Sequence, residues 1–113
     1  YKASLTATYE ENPVGIATLF LMPYKKVSHI SMLYLIVNPE FQHKGVGSSL
    51  LKNIMHYAKK FNLESVHLEV YEGSPIIPLL IKSGFYEVLK QENYISFPEG
   101  MRSRAVFEKV VEA

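Results

Sequence analysis

At 113 residues the chain has room for one domain with a real core, and a 48% hydrophobic fraction with eight tyrosines argues against disorder. A formal net charge of +1 offers no field to recruit nucleic acid. The absence of cysteine removes disulfide scaffolds, thiolate metal sites and cysteine nucleophiles.

Leu5 to Tyr9 alternates apolar and polar residues, the period of a half-buried strand. Glu10 to Pro13 is turn chemistry and Val14 to Met22 is rich in strand formers, so the two runs read as a hairpin. Pro23 to Lys26 breaks the pattern. Ile30 to Val37 is then almost continuously apolar, which predicts a central strand covered on both faces and ended by Asn38-Pro39. This longest apolar stretch is far too short to cross a bilayer, and the first residues lack signal-peptide character. The expected setting is cytoplasmic, with no membrane partner.

From Val46 the period changes. Val46, Leu50, Leu51, Ile54, Met55, Ala58 and Phe61 recur at helical spacing, with Lys59 and Lys60 well placed near the C-terminal end. Ser65 to Tyr71 alternates again, with Val66, Leu68 and Val70 on one face and His67, Glu69 and Tyr71 on the other. Ile76 to Lys82 predicts a short helix, closed by Ser83-Gly84 and tolerant of Pro78 near its start. Phe85 to Lys90, Tyr94 to Phe97 and Arg104 to Val111 read as closing strands. The result is an α/β (α+β) pattern, a mixed sheet with two helices packed against it, and no linker divides residues 1–113.

The segment between the central strand and the long helix carries the chemistry. Gln42-His43-Lys44-Gly45-Val46-Gly47-Ser48 places two glycines where a helix begins. Main-chain N–H groups there have no helical partner, and the helix dipole favours an anion in front of them. Glycine lets the backbone approach a phosphate closely, and Lys44 stands at the rim with positive charge to add, His43 beside it being a second candidate. A tight strand-to-helix turn accounts for two glycines equally well. Walker-type and dinucleotide-type loops fit poorly, because the lysine is misplaced and Leu50 stands where a third glycine is required.

Two motifs together resemble the GNAT superfamily of N-acetyltransferases. Leu35-Ile36-Val37 followed by Gln42-x-x-Gly45-x-Gly47 is similar to that family's signature, and Leu68-Glu69-Val70 with Lys82-Ser83-Gly84-Phe85 is similar to its second segment. The resemblance implies acetyl-CoA as cofactor and a mostly antiparallel sheet whose strands ending near Val37 and Val70 splay apart. It also implies that Leu35, Ile36 and Val37 pair with the pantetheine arm through their main chain. His43, Lys44, Gly45, Val46, Gly47 and Ser48 would hold the pyrophosphate, braced by Gln42. Glu69 is the candidate general base, since acetyl transfer to an amine requires removal of a proton, and a solvated or ion-paired Glu69 is the plainer alternative.

The departures from the family pattern matter as well. Gly73, Ile76 and Leu80 occupy positions where the family often has Asn, Ala and a Tyr that protonates the leaving thiolate. Tyr71, Tyr86 or a water is left for that role, or the domain binds cofactor and acylates poorly. The family's N-terminal strand and helices, which often build the acceptor site, are read as absent from a chain opening at Tyr1. An open cleft, or one completed in a homodimer, is expected, with a small-molecule or peptide amine as acceptor. No histidine pair has metal-ligand spacing, so no metal site is expected. Arg102 and Arg104 read as residues of an exposed strand, and Tyr94, Phe97 and Phe107 as core or interface. A phosphate-binding α/β protein unrelated to coenzyme A is the distant alternative.

Overall fold

The computed structural model describes residues 2–21 and 30–112. The readings at Met22, at Pro23 to Lys26 and at His29 lie outside them. The elements are β1 (Lys2–Tyr9), β2 (Asn12–Leu21), β3 (Ile30–Val37), α1 (Val46–Lys60), β4 (Ser65–Tyr71), α2 (Ile77–Lys82), β5 (Tyr86–Phe97) and β6 (Gly100–Val110). The strands form one sheet in the order β1-β2-β3-β4-β6-β5. Every neighbouring pair is antiparallel except β3 with β4. This is the mixed, mostly antiparallel sheet with two helices that the sequence implied.

The first hairpin turns on Glu10 and Glu11 alone, at φ of 50° and 68°. Such two-residue turns need left-handed backbone to match strand twist, and glutamate adopts it without glycine's freedom. Pro13 therefore falls inside β2 rather than in the turn, opposite Thr8, where the register slips between Ala7 and Thr8. A residue without an N–H is tolerated at such an irregularity.

Both helices lie on one face of the sheet. Leu50, Leu51, Ile54 and Ala58 of α1 meet Ala17, Leu19 and Leu33, and Leu80 of α2 joins the same core with Val66, Leu68, Val70 and Phe107. Shortening a side chain such as Ile54, which is wholly buried, costs about 2–5 kcal/mol.

Among the described residues no element covers the opposite face, which corrects the expectation of a strand covered on both sides. β3 is central, but Tyr34 is 56% and Ile36 66% exposed, so the strand is covered on one face only. Its apolar run reflects a helix on one side and an open apolar surface, shared with Ile16 and Phe20, on the other. A second correction concerns the closing strands. Phe85 to Lys90 and Tyr94 to Phe97 are not two strands; Tyr86–Phe97 is continuous, with a slip of register between Gln91 and Ile95 taking up the polar residues between them.

Each helix ends in a Schellman motif. Beyond α2, Gly84 (φ 93°) donates to the Ile81 carbonyl and Phe85 to that of Leu80, with both Leu80 and Phe85 buried. Lys82-x-Gly84-Phe85 is thus a helix stop: glycine supplies the left-handed residue and phenylalanine the apolar clasp. Asn62 (φ 57°) and Leu63 close α1 in the same way, through the carbonyls of Lys59 and Ala58. Among the described residues no helix is long and apolar enough to cross a membrane.

Candidate active site

The sheet opens at its middle. β3 and β4 pair only through Ile30–Ser65, Ser31–Val66 and Met32–His67. β3 nevertheless follows β2 as far as Val37, and β4 follows β6 as far as Tyr71. Beyond Met32 and His67 the facing strand edges therefore separate, leaving main-chain groups without a ladder partner. Two clefts meet there, one on the helix side and one on the bare face.

The helix-side cleft has a volume of about 560 Å³ and runs from Gly45 and Ser48 at the start of α1, past Leu35 to Val37, to Ser74 and α2. Gly45 is the N-cap, at φ 84° and ψ 0°, and among the described residues no side chain caps the helix. Ser49 N–H bonds the Gly45 carbonyl at 3.0 Å, so the amides of Val46, Gly47 and Ser48 precede the first helical bond. The two glycines have separate causes. Gly45 supplies left-handed backbone in open space, whereas a Cβ on Gly47 would lie 2.7 Å from Leu79 Cδ2. At Gly47 the space for a side chain is taken by the end of Leu79 from α2.

Gln42, His43, Gly45, Gly47 and Ser48 all line this cleft, as do Leu35, Ile36 and Val37. Lys44 places its ammonium 5.5 Å from the centre of the Phe41 ring, and Val46 packs toward Gly15 of β2. Gln42 makes no side-chain hydrogen bond among the described residues. The loop is tied instead by Asn38, whose side chain accepts from Glu40 N–H at 3.0 Å and whose N–H donates to Val14 O at 2.8 Å. Lys82, in the last turn of α2, adds a cation to the lining that sequence reading left without a role.

The bare-face cleft, about 280 Å³, lies between Leu33–Ile36 and Leu68–Glu72, with Phe97 and Arg102 at its border. Glu69 belongs to it, and each of its carboxylate oxygens has one partner. Tyr71 donates its hydroxyl to Oε1 at 2.5 Å, and Arg104 donates Nε–H to Oε2 at 2.9 Å. Arg104 also donates to Gln91 Oε1 at 2.8 Å and lies over the Tyr94 ring. The Tyr71 hydroxyl, helped by Arg104, holds the Glu69 carboxyl below its usual range although partial burial acts the other way. The same hydrogen bond pushes the Tyr71 phenol up. Glu69 is therefore an anion at neutral pH.

Register explains this network: Tyr71 stands opposite Arg104 and Glu69 opposite Val106, so β4 and β6 bring the three polar groups to one face. The spacing of Glu69 and Tyr71 was visible in the sequence; the arginine, far along the chain, was not. The Leu80 side chain is wholly buried in the core. Tyr86 donates to Glu108 Oε2 at 3.1 Å, and His67 is 3.1 Å from Glu108 Oε1. That cluster lines neither cleft. Leu35, Ile36, Ser74 and Ile76 line both clefts.

Residues 2–85 match the model of the acetyltransferase (GNAT) family. Among curated protein sequences none matches. Among solved structures, a GNAT-family acetyltransferase from Streptococcus pneumoniae is 24% identical with a TM-score of 0.90, over 97% of this chain and 67% of that one. An acetyltransferase from Bacillus cereus is 25% identical with a TM-score of 0.81, over 97% and 73%. The ribosomal-protein-S18-alanine N-acetyltransferase of Escherichia coli is 19% identical with a TM-score of 0.84, over 99% and 70%. With its family model spanning most of its length and the parted sheet in place, this chain belongs to the acetyltransferase (GNAT) family.

Proposed function

We propose that this chain transfers an acetyl group from acetyl-CoA to the primary amine of a small molecule or peptide, as a single N-acetyltransferase domain. The carrying observation is the meeting of two clefts in the splay of the sheet, one beginning at unpartnered helix-start amides and the other containing an ionised carboxylate. Helix-start amides preceded by a left-handed glycine suit a diphosphate. In this reading His43, Gly45, Val46, Gly47 and Ser48 hold the pyrophosphate by main-chain N–H groups. Lys44 contributes charge at the rim, and Gln42 lines the cleft beside them.

The unpaired edge of β3 at Leu35, Ile36 and Val37 holds the pantetheine amides as a neighbouring strand would. When bound, acetyl-CoA supplies the thioester that is the acyl donor. Glu69 serves as the base. Held below its usual range it is always deprotonated at working pH, and it passes the ammonium proton of the acceptor on to water. The reading includes a cytoplasmic setting and a homodimer, the latter checked by sedimentation.

Calorimetry with acetyl-CoA and a thiol-release assay over an amine panel test the proposal. Binding in the micromolar range with amine-dependent thiol release supports it, and no binding at high micromolar cofactor rejects it. A coenzyme A-binding module with little or no catalysis is the second reading. The buried Leu80 favours it, since no hydroxyl stands there to protonate a thiolate. Binding without thiol release decides for that module.

A further inference from the structure

We infer that Ser74 is the group that hands a proton to the leaving sulfur. This inference rests on the acetyltransferase reading above and supplies the donor that Leu80 lacks. A donor and an acceptor that enter by separate clefts react where those clefts join. The walls common to both are Leu35, Ile36, Ser74 and Ile76, and of their side chains only the Ser74 hydroxyl donates a hydrogen bond.

Tyr34 lines only the bare-face cleft and Ser48 only the helix-side cleft, and the two tyrosines that the sequence offered for this role are committed elsewhere. Tyr71 lines the bare-face cleft but donates to Glu69 at 2.5 Å, and Tyr86 donates to Glu108 outside both clefts. Ser74 is half-buried between β4 and α2. Its Oγ accepts from Ile76 N–H at a long 3.4 Å, which leaves the hydroxyl proton uncommitted. Gly73, at φ 83° just before it, turns the chain out of β4 so that Ser74 comes to the junction.

The chemistry balances without a second titrating residue. The neutral acceptor nitrogen forms a bond to the thioester carbonyl carbon, and the carbon–sulfur bond breaks with its electron pair going to sulfur. Ser74 gives its hydroxyl proton to that sulfur and takes one from the nitrogen, ending as it began. The products are an amide and a free thiol. A serine in this position needs no shifted pKa, because it relays a proton and never holds a charge.

A binding measurement separates this role from a structural one. Free coenzyme A is bound to the protein, and its thiol is titrated by the ultraviolet absorbance of the thiolate. A hydroxyl donating to sulfur stabilises the thiolate, so Ser74→Ala is expected to raise the titration midpoint by roughly one to two pH units. Coenzyme A affinity at neutral pH should stay within about threefold, while kcat falls by roughly 100-fold. Ser74→Thr, which keeps the hydroxyl, should restore the midpoint, and Ser74→Gly is a second variant without it. An unchanged midpoint in folded Ala and Gly variants overturns the inference and leaves the acetyltransferase reading standing. Absence of coenzyme A binding by the unaltered chain overturns both.

Discussion

The two clefts are built in opposite ways. The helix-side cleft is mostly main chain: amides at the start of α1, the open edge of β3, and glycines that shape them. The bare-face cleft carries the side chains of Glu69 and Tyr71, held by Arg104 from a second strand that meets theirs only through sheet register. A main-chain site is encoded locally, because a helix start and its glycines are neighbours in sequence. A side-chain network depends on which strands pair and where.

The sharpest way to break this contrast is at Gly47. Gly47→Leu would force a branched side chain into Leu79 and across the path in front of the amides. Acetyl-CoA affinity is expected to fall by about 100-fold in calorimetry, since both packing and approach are lost. Retained affinity would mean that the amides are not what holds the ligand. Glu69→Gln acts on the other cleft. It should lower kcat by roughly 10- to 100-fold while leaving acetyl-CoA binding unchanged, and unchanged turnover removes Glu69 from the base role.

Gly84→Ala touches the helix stop and neither cleft lining. Its left-handed φ and the nearby Lys109 side chain make alanine strained, at a cost of about 1–2 kcal/mol in urea unfolding, with kinetic constants unchanged. The smallest expected effect follows from Tyr71→Phe. Losing the chief stabiliser of the carboxylate should move the Glu69 titration, followed by NMR, up toward 4.5. The sign of the linked stability is fixed by that direction. A carboxyl lowered on folding contributes stability above its unfolded value and loses it as pH falls through the folded one. The variant should therefore be slightly less stable than the parent at pH 7, and that difference should shrink as pH falls below about 4.5.

The same contrast explains what could be read in advance. Gly45, Gly47, the turn at Asn38 and the stop at Gly84 announce themselves, because each satisfies a local backbone need. Arg104 passed for an exposed strand residue because its partner, Glu69, lies on another strand. Phe97, read as core or interface, is partly buried and borders the bare-face cleft. Tyr34 and Ile36 misled in the other direction: an apolar run was taken to mean cover on both faces, and one face of β3 is open. Hydrophobicity reports that a surface prefers to leave water. It does not report what covers it.

The three residue pairs that join β3 to β4 make the sheet two ribbons sewn by a short seam, β1-β2-β3 on one side and β4-β6-β5 on the other. α1 lies across the seam, touching strands of both ribbons, and holds them while their edges stand apart. A substrate arm laid along those edges would act as the absent ladder rung. Occupancy should then slow amide hydrogen exchange along Leu35 to Val37 and stiffen the seam, so that ligand and secondary structure become a single cooperative unit.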